Sequence, residues 1–340
     1  MDISLFDFDL PEELIAQTPS KVRDECKLLV IDKDKKTYED KYFFDIINYL
    51  KPGDVLVRNN TKVNPVRLYG IKEETNAKVE VLLLKDLGND TYEALCGNAK
   101  AIKVGSVINF KDLMKGTCLE VKDEGIRIIK FTYQGIFLEV LDKVGIMPLP
   151  PYIHTQIKDK NDYQTVYAKI DGSSAAPTAG FHFTNELLDK IKSMGVEILD
   201  VTLNIGLGTF RPVKVKDTKD HIMHTEHYEI SEEVAERLTL AKKEGRRIIA
   251  VGTTVIRTLE STYTKNNCFK KDIDDTSIFI EPGYKFKAID AIITNFHLPK
   301  STLIMLISAF MGREFTLECY KHAVDEKYRF FSFGDSMFIE

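Results

Sequence analysis

Val66-Arg67-Leu68-Tyr69-Gly70-Ile71, followed by Lys78-Val79-Glu80-Val81-Leu82-Leu83-Leu84, decides how this chain divides. Both runs are short, rich in β-branched and aromatic residues and separated by a polar stretch, which is the pattern of strand, turn and strand. The rhythm continues through Thr91 to Cys96, Val104 to Phe110, Cys118 to Val121 and Ile126 to Thr132. Strands spaced this closely predict a small barrel or sandwich. A helix-like stretch, Phe137 to Val144, and the run Pro148-Leu149-Pro150-Pro151 close the segment. Residues 66–150 therefore read as an insertion.

The flanks have a different rhythm. Upstream, Leu10-Pro11-Glu12-Glu13-Leu14-Ile15 suggests a helical turn with an early Pro, and Cys26 to Asp32 is an apolar run ended by charge, as in a buried strand. Gly53-Asp54-Val55-Leu56-Val57 repeats that pattern and leads into the polar turn Arg58-Asn59-Asn60-Thr61-Lys62. Downstream of Pro151, helical stretches (Asn185 to Met194, Ser231 to Glu244) alternate with strands (Val196 to Ile205, Arg247 to Val251, Ala288 to Thr294). That alternation predicts an α/β layer with a partly parallel sheet, whose ligands bind beyond the carboxyl ends of the strands. The expected architecture is an α/β fold, a large mixed-sheet α/β domain (1–65 and 151–340) interrupted by a small inserted β-barrel domain (66–150).

The chain has 340 residues, which favours two domains over one, and its 44% apolar and 29% charged residues suit a folded, water-soluble protein. The longest apolar run, Thr302 to Phe310, is too short to span a bilayer, and Met1 to Asp9 lacks a basic leader followed by an apolar stretch, so a cytoplasmic location is expected. Five scattered cysteines form no CxxC pair, which argues against a zinc ribbon or a disulfide framework. The net charge of -5 speaks against nucleic acid. Residues 201–340 balance 20 basic against 20 acidic side chains, however, so a local basic face remains open.

Several strand ends carry residues suited to chemistry. Ser173 to Thr184 packs small residues ahead of His182, which would let a ligand approach the backbone closely; a tight loop with a core histidine is the plainer reading. Val201 to Ile205 runs into Gly206-Leu207-Gly208-Thr209-Phe210-Arg211-Pro212, where Pro212 blocks the helix that a dinucleotide fingerprint needs. Gly252-Thr253-Thr254-Val255-Ile256-Arg257 follows a strand, and its Thr side chains could cap a helix whose free N–H groups face an anion. His221, His224 and His227 stand at spacings of three beside Glu226, yet no cysteine and no HExxH pattern supports them, so polar contacts to substrate or RNA are expected and no metal. Asn295-Phe296-His297-Leu298-Pro299-Lys300-Ser301-Thr302 puts an imidazole between a strand and an apolar helix capped by Ser301. The tail from Tyr328 to Ile339 sets an Arg among aromatics, either as a core strand or as a stacking surface for a base.

In this order, these segments resemble the S-adenosylmethionine:tRNA ribosyltransferase-isomerases of queuosine synthesis. The resemblance covers nearly the whole chain, through Asp7 to Pro11, Gly53 to Val57, Ala175 to Gly180, His182 to Thr184, Gly206 to Pro212, Met223 to Glu226, Val251 to Thr254, Thr294 to Thr302 and Tyr328 to Asp335. It departs at Asn59-Asn60-Thr61-Lys62, where Asn-Asp-Thr-Arg is usual, at Asn204 for a usual His, and at Val255 for a usual Ser. His227 lies outside the family pattern.

The resemblance implies a large α/β domain interrupted by a β-barrel. It also implies transfer and isomerisation of the ribosyl group of S-adenosylmethionine onto 7-aminomethyl-7-deazaguanine at the wobble position of tRNA, with release of adenine and methionine. S-adenosylmethionine is then a co-substrate, and neither a further cofactor, a metal nor a membrane is called for; the chain is expected to be a monomer or a weak homo-oligomer. That chemistry needs a base near the sulfonium-adjacent carbon, an acid for departing adenine, and grips on both substrates. His182 and His297 are the candidates for acid and base, in either assignment. Thr178, Gly180, Gly208, Thr209 and Thr253 would hold donor or modified base, and Arg211, Arg257 and Lys300 would contact the methionine carboxylate or RNA phosphate. His224, Glu226 and Asn295 complete the substrate-binding set. The competing readings are an S-adenosylmethionine-dependent RNA methyltransferase and a non-catalytic RNA-binding protein.

Overall fold

In the computed structural model, which describes residues 1–155, 157, 159–206 and 215–340, the chain divides into two compact units. One is Met1–Lys62 with Pro151–Glu340; the other is Val63–Pro150. The first unit opens with β1 (Lys27–Asp32), β2 (Thr37–Tyr42), β3 (Val55–Asn59) and the short β4 (Thr61–Val63). The second contains β5 (Arg67–Lys72), β6 (Lys78–Asp86), β7 (Thr91–Gly97), β8 (Val107–Phe110), β9 (Met114–Val121), β10 (Ile126–Tyr133), helix α1 (Phe137–Val144) and β11 (Gly145–Ile146). The first unit then resumes with β12 (Ile170–Ser173), α2 (Asn185–Ser193), β13 (Glu197–Asn204), β14 (Glu226–Ile230), α3 (Glu232–Lys243) and β15 (Ile248–Val251). Last come α4 (Thr253–Asn266), β16 (Asp272–Thr276), β17 (Ala291–Asn295), α5 (Thr302–Met311), α6 (Arg313–Asp325) and β18 (Ser336–Ile339).

The inserted strands run antiparallel in the order β5-β6-β7-β10-β9-β8, and β8 pairs back onto β5 to close a six-stranded barrel. Closure removes the free edges that a sandwich would leave, so the barrel branch of the sequence reading is the one that forms. Alternate residues such as Leu68, Val81, Ala94, Ile108, Phe110, Ile129 and Phe131 point inward and make its own core.

The large sheet has the order β16-β14-β13-β3-β15-β17-β18-β1-β2. Its centre, β13, β3, β15 and β17, is parallel, whereas β18 runs antiparallel to β17 and the outer strands add antiparallel pairs. Every residue of β15, β17 and β18 is buried, as strands covered on both faces require. The cover on one face is α3, α4, α5 and α6, through residues such as Leu238, Ile256, Leu259, Ile307 and Tyr320. On the other face α2 supplies Leu187, Leu188 and Ile191 beside Phe43 and Ile46. The result is the mixed α/β architecture expected from the alternation of patterns.

The predicted helical turn near Leu10 is two 3₁₀ turns, Ile3–Phe6 and Glu12–Leu14. The aromatic tail is strand only from Ser336 onward, because Phe331 adopts a left-handed backbone (φ 71°) that breaks the extended chain. Among the described residues no helix is long and apolar enough to cross a membrane.

Candidate active site

Strands β15 and β17 are hydrogen-bonded neighbours, so the segments leaving their carboxyl ends leave side by side. A cavity of about 310 Å³ opens there, within the size range of small-molecule sites. Several chain segments meet at it. After β15, Gly252 turns the chain with φ 87° and starts α4, whose first residues Thr253 and Thr254 line the cavity. The cap is this glycine and not a threonine: among the described residues no side chain caps α4, so its first N–H groups keep their hydrogen-bonding capacity at the cavity wall. A side chain at Gly252 would strain that backbone, although its Cβ would meet Ala179 Cβ only at contact distance, 3.4 Å.

After β17, Asn295, Phe296, His297, Leu298, Pro299 and Lys300 form the second wall and lead to α5. Ser301 caps that helix as its position predicted, accepting the Ile304 N–H at 3.3 Å. Lys300 donates its N–H to the Phe6 carbonyl at 3.0 Å, and its ammonium lies 2.7 Å from the Asp7 carboxylate at the half-exposed rim. Opposite, Ala176, Pro177, Thr178 and Ala179 contribute small residues. Tyr152 and Phe331, with ring centroids 4.9 Å apart, make an aromatic wall, and the Tyr152 hydroxyl bonds Ser332 Oγ at 2.8 Å.

His297 lines the cavity with its Nε2 3.1 Å from Thr294 Oγ1, while its N–H donates to the Tyr320 hydroxyl at 3.1 Å. Burial pushes its pKa down from 6.5 to about 3, because no carboxylate offsets the loss of water around an imidazolium. It is therefore a neutral, unprotonated ring at physiological pH, open to a proton although the same burial makes it a weaker base.

Arg257, one turn into α4, pairs with Glu226 at the start of β14, and both line the cavity. Both are nearly buried, at 7% and 3% exposed, so the pair is desolvated and its geometry is fixed by mutual attraction. The Arg257 Nη2 also approaches the carbonyls of His224 and Thr276 at 3.5 Å, whereas Nε is buried and has no hydrogen-bond partner among the described residues. His221, Met223 and the exposed His224 reach the cavity from the irregular segment before β14. His227 does not join them; its Nδ1 bonds Asp275 Oδ1 at 2.9 Å on the neighbouring edge strand. Among the described residues there is no group of three metal-ligating side chains.

Two expected residues are placed elsewhere. Gly180 is buried but does not line the cavity; a Cβ there would lie 2.0 Å from the Tyr167 hydroxyl oxygen, so glycine at this position answers a packing demand. His182 is also outside the cavity lining, buried behind Asn295, with Nε2 3.3 Å from Asn295 Oδ1 and Nδ1 3.1 Å from Cys26 Sγ. Burial lowers its pKa from 6.5 to about 4. Gly208, Thr209 and Arg211 lie outside the described residues. Thr178, His224, Glu226, Thr253, Arg257, Asn295, His297 and Lys300 are brought together at one cavity. The sequence reading missed Tyr152, whose only local signal is an aromatic directly after two prolines.

A solved structure described as S-adenosylmethionine tRNA ribosyltransferase from Thermotoga maritima is 35% identical in sequence, with a TM-score of 0.58, covering 99% of this chain and 100% of its own. Residues 3–339 match the protein family described as queuosine biosynthesis protein. With the barrel inserted in a mixed α/β sheet and the match running through both units, this chain belongs to the queuosine biosynthesis protein family.

Proposed function

We propose that the cavity beyond β15 and β17 is where the ribosyl group of S-adenosylmethionine is transferred to tRNA. The protein is an S-adenosylmethionine:tRNA ribosyltransferase-isomerase. Its acceptor is the 7-aminomethyl-7-deazaguanine at the wobble position, and its setting is the cytoplasm. The observation that carries the placement is the meeting, in one cavity, of a neutral imidazole, a buried Arg–Glu pair and an aromatic wall.

Each part suits a demand of the chemistry. The positively charged sulfur acidifies the ribose carbon next to it, so a neutral proton acceptor beside that carbon starts the rearrangement; His297 is that base. The methionyl end of the donor is a zwitterion, and Arg257 with Glu226 offers the opposite charge to each of its ends. The uncapped start of α4 at Thr253 adds N–H donors for the carboxylate. Tyr152 and Phe331, their rings inclined at 49° to each other, offer aromatic faces for a planar base. Thr178, His224 and Lys300 supply polar contacts to donor or RNA around this centre, with Asn295 in the same wall as Lys300. The proton from the donor carbon passes to His297, and the bonds from the sugar to adenine and to sulfur break, so that adenine, protonated at its freed ring nitrogen, and methionine leave. The acceptor's primary amine forms the new C–N bond and gives up a proton as the ribosyl unit becomes an epoxycyclopentane.

The deciding experiment is incubation of the protein with S-adenosylmethionine and tRNA bearing the aminomethyl-deazaguanine. Free adenine should appear in step with the mass change of the RNA. Release of S-adenosylhomocysteine would mean a methyltransferase, and retention of RNA without consumption of the donor would mean a binding protein.

A further inference from the structure

Four groups behind the cavity form one unbroken hydrogen-bonded chain. Cys26 Sγ lies 3.1 Å from His182 Nδ1, His182 Nε2 lies 3.3 Å from Asn295 Oδ1, and Asn295 Nδ2 donates to the Phe331 carbonyl at 2.8 Å. All four residues are buried. Only the last two, Asn295 and Phe331, line the cavity.

Donor and acceptor counting sets the protons. The Phe331 carbonyl can only accept, so the Asn295 nitrogen faces it and the Asn295 oxygen faces His182. His182 must then donate from Nε2, which leaves Nδ1 as an acceptor for the Cys26 thiol. The surroundings agree with a neutral ring: the thiol is held protonated by burial, and the charged groups acting on the imidazole, Arg23 and Arg329, are both cationic. The end of the chain is a backbone under strain. Phe331 holds φ 71°, a region costly for a bulky side chain, and is kept there by the Asn295 bond together with Gly334 N–H donating to the same carbonyl at 2.9 Å and its own N–H donating to the Phe296 carbonyl at 3.2 Å.

We infer that His182 is a positioning residue, which through Asn295 fixes the Phe331 side of the cavity and takes no proton during the reaction. The inference rests on the ribosyl-transfer reading of the same cavity. An imidazole serving this way must keep one tautomer and need not change charge, whereas an acid or base must do so in every turnover. Its neighbour Asn295 has both ends of its amide committed, so loss of the His182 donor frees the amide to rotate and releases the strained turn.

The test compares His182→Ala, His182→Gln, Asn295→Ala and the double variant His182→Ala/Asn295→Ala in steady-state adenine release. Glutamine can place an N–H near the position of Nε2, so His182→Gln should recover most of the activity with an unchanged pH profile. His182→Ala and Asn295→Ala should each lower kcat/KM on the order of 100-fold, the usual cost of a misplaced site, and the double variant should lose no more than either alone. In protein carrying 15N-labelled histidine, the signal removed by His182→Gln should report protonated Nε2 and bare Nδ1 from pH 5.5 to pH 8. Multiplying losses in the double variant, a dead His182→Gln with a lost limb of the pH profile, or a ring that titrates in that range would overturn the inference. The nitrogen spectrum needs no turnover, so a wild-type protein that released no adenine would fail the ribosyl-transfer reading and leave the tautomer result to decide this one.

Discussion

At the scale of single residues, burial is what gives the two histidines their character. An imidazole in the unfolded chain gains a proton as pH falls below about 6.5. In the folded chain His182 resists until about 4 and His297 until about 3. Between those limits the unfolded state binds more protons, so stability is greatest above pH 6.5 and falls as pH drops toward 4. His297→Ala should therefore flatten the dependence of urea stability on pH between 7 and 5, by up to ~1.4 kcal/mol per pH unit. It should also lower kcat for adenine release by roughly 10²- to 10⁴-fold, as loss of a general base does. A variant with full turnover, or an unchanged pH slope, would show that this ring is neither the base nor a suppressed titrating group. The glycines divide by the same local logic. Gly252 is needed for its left-handed turn into α4, whereas Gly180 is needed because Tyr167 occupies the space of a side chain.

At the scale of elements, the helix that follows His297 ties site geometry to stability. Ser301 satisfies one of the free N–H groups at the start of α5, immediately after the Asn295 to Lys300 wall. Ser301→Ala should lower the unfolding free energy by about 1 kcal/mol in urea denaturation, the usual cost of an N-cap. A change of less than a few tenths would mean that packing of the apolar α5 holds this end without the cap. The elements read most directly from sequence were those with a strong local period. The six barrel runs, Phe137 to Val144, and the stretches giving α2, α3 and α5 all formed within a few residues of their expected ends. Harder to read were α6, the edge strands β2 and β16, and β14 beside β16. The strand β16, Asp272-Ile273-Asp274-Asp275-Thr276, is mostly acidic, because an exposed edge is protected by charge rather than marked by apolar alternation.

At the scale of the whole molecule, the insertion has its own closed barrel and its own buried cluster, and the larger unit completes its sheet from segments on both sides of it. A polypeptide of residues 63–150 should therefore fold alone and unfold cooperatively in urea, since a closed barrel of this length buries a sufficient core. Broad, non-cooperative unfolding would mean that the barrel depends on the rest of the chain. β3 and β15 pair across 193 residues of sequence, so the centre of the large sheet forms only when both flanks of the insertion are present.

The sequence by itself determined the class of fold, the place of the inserted strands and the turn segments where ligands could approach, because periodicity, turn residues and caps act over a few neighbouring positions. It also put His297, Thr253, Arg257 and Lys300 on the roster of candidate groups, though it gave His182 the same standing as His297. Only the tertiary structure separated those two, by placing His297 in the cavity wall and His182 behind Asn295. The same holds for the Arg257 and Glu226 pair and for the aromatic wall of Tyr152 and Phe331. The physical reason is that proton affinity, charge pairing and stacking depend on what surrounds a group in space, and here those surroundings come from residues between about 30 and 180 positions away in the chain, beyond the reach of any local pattern.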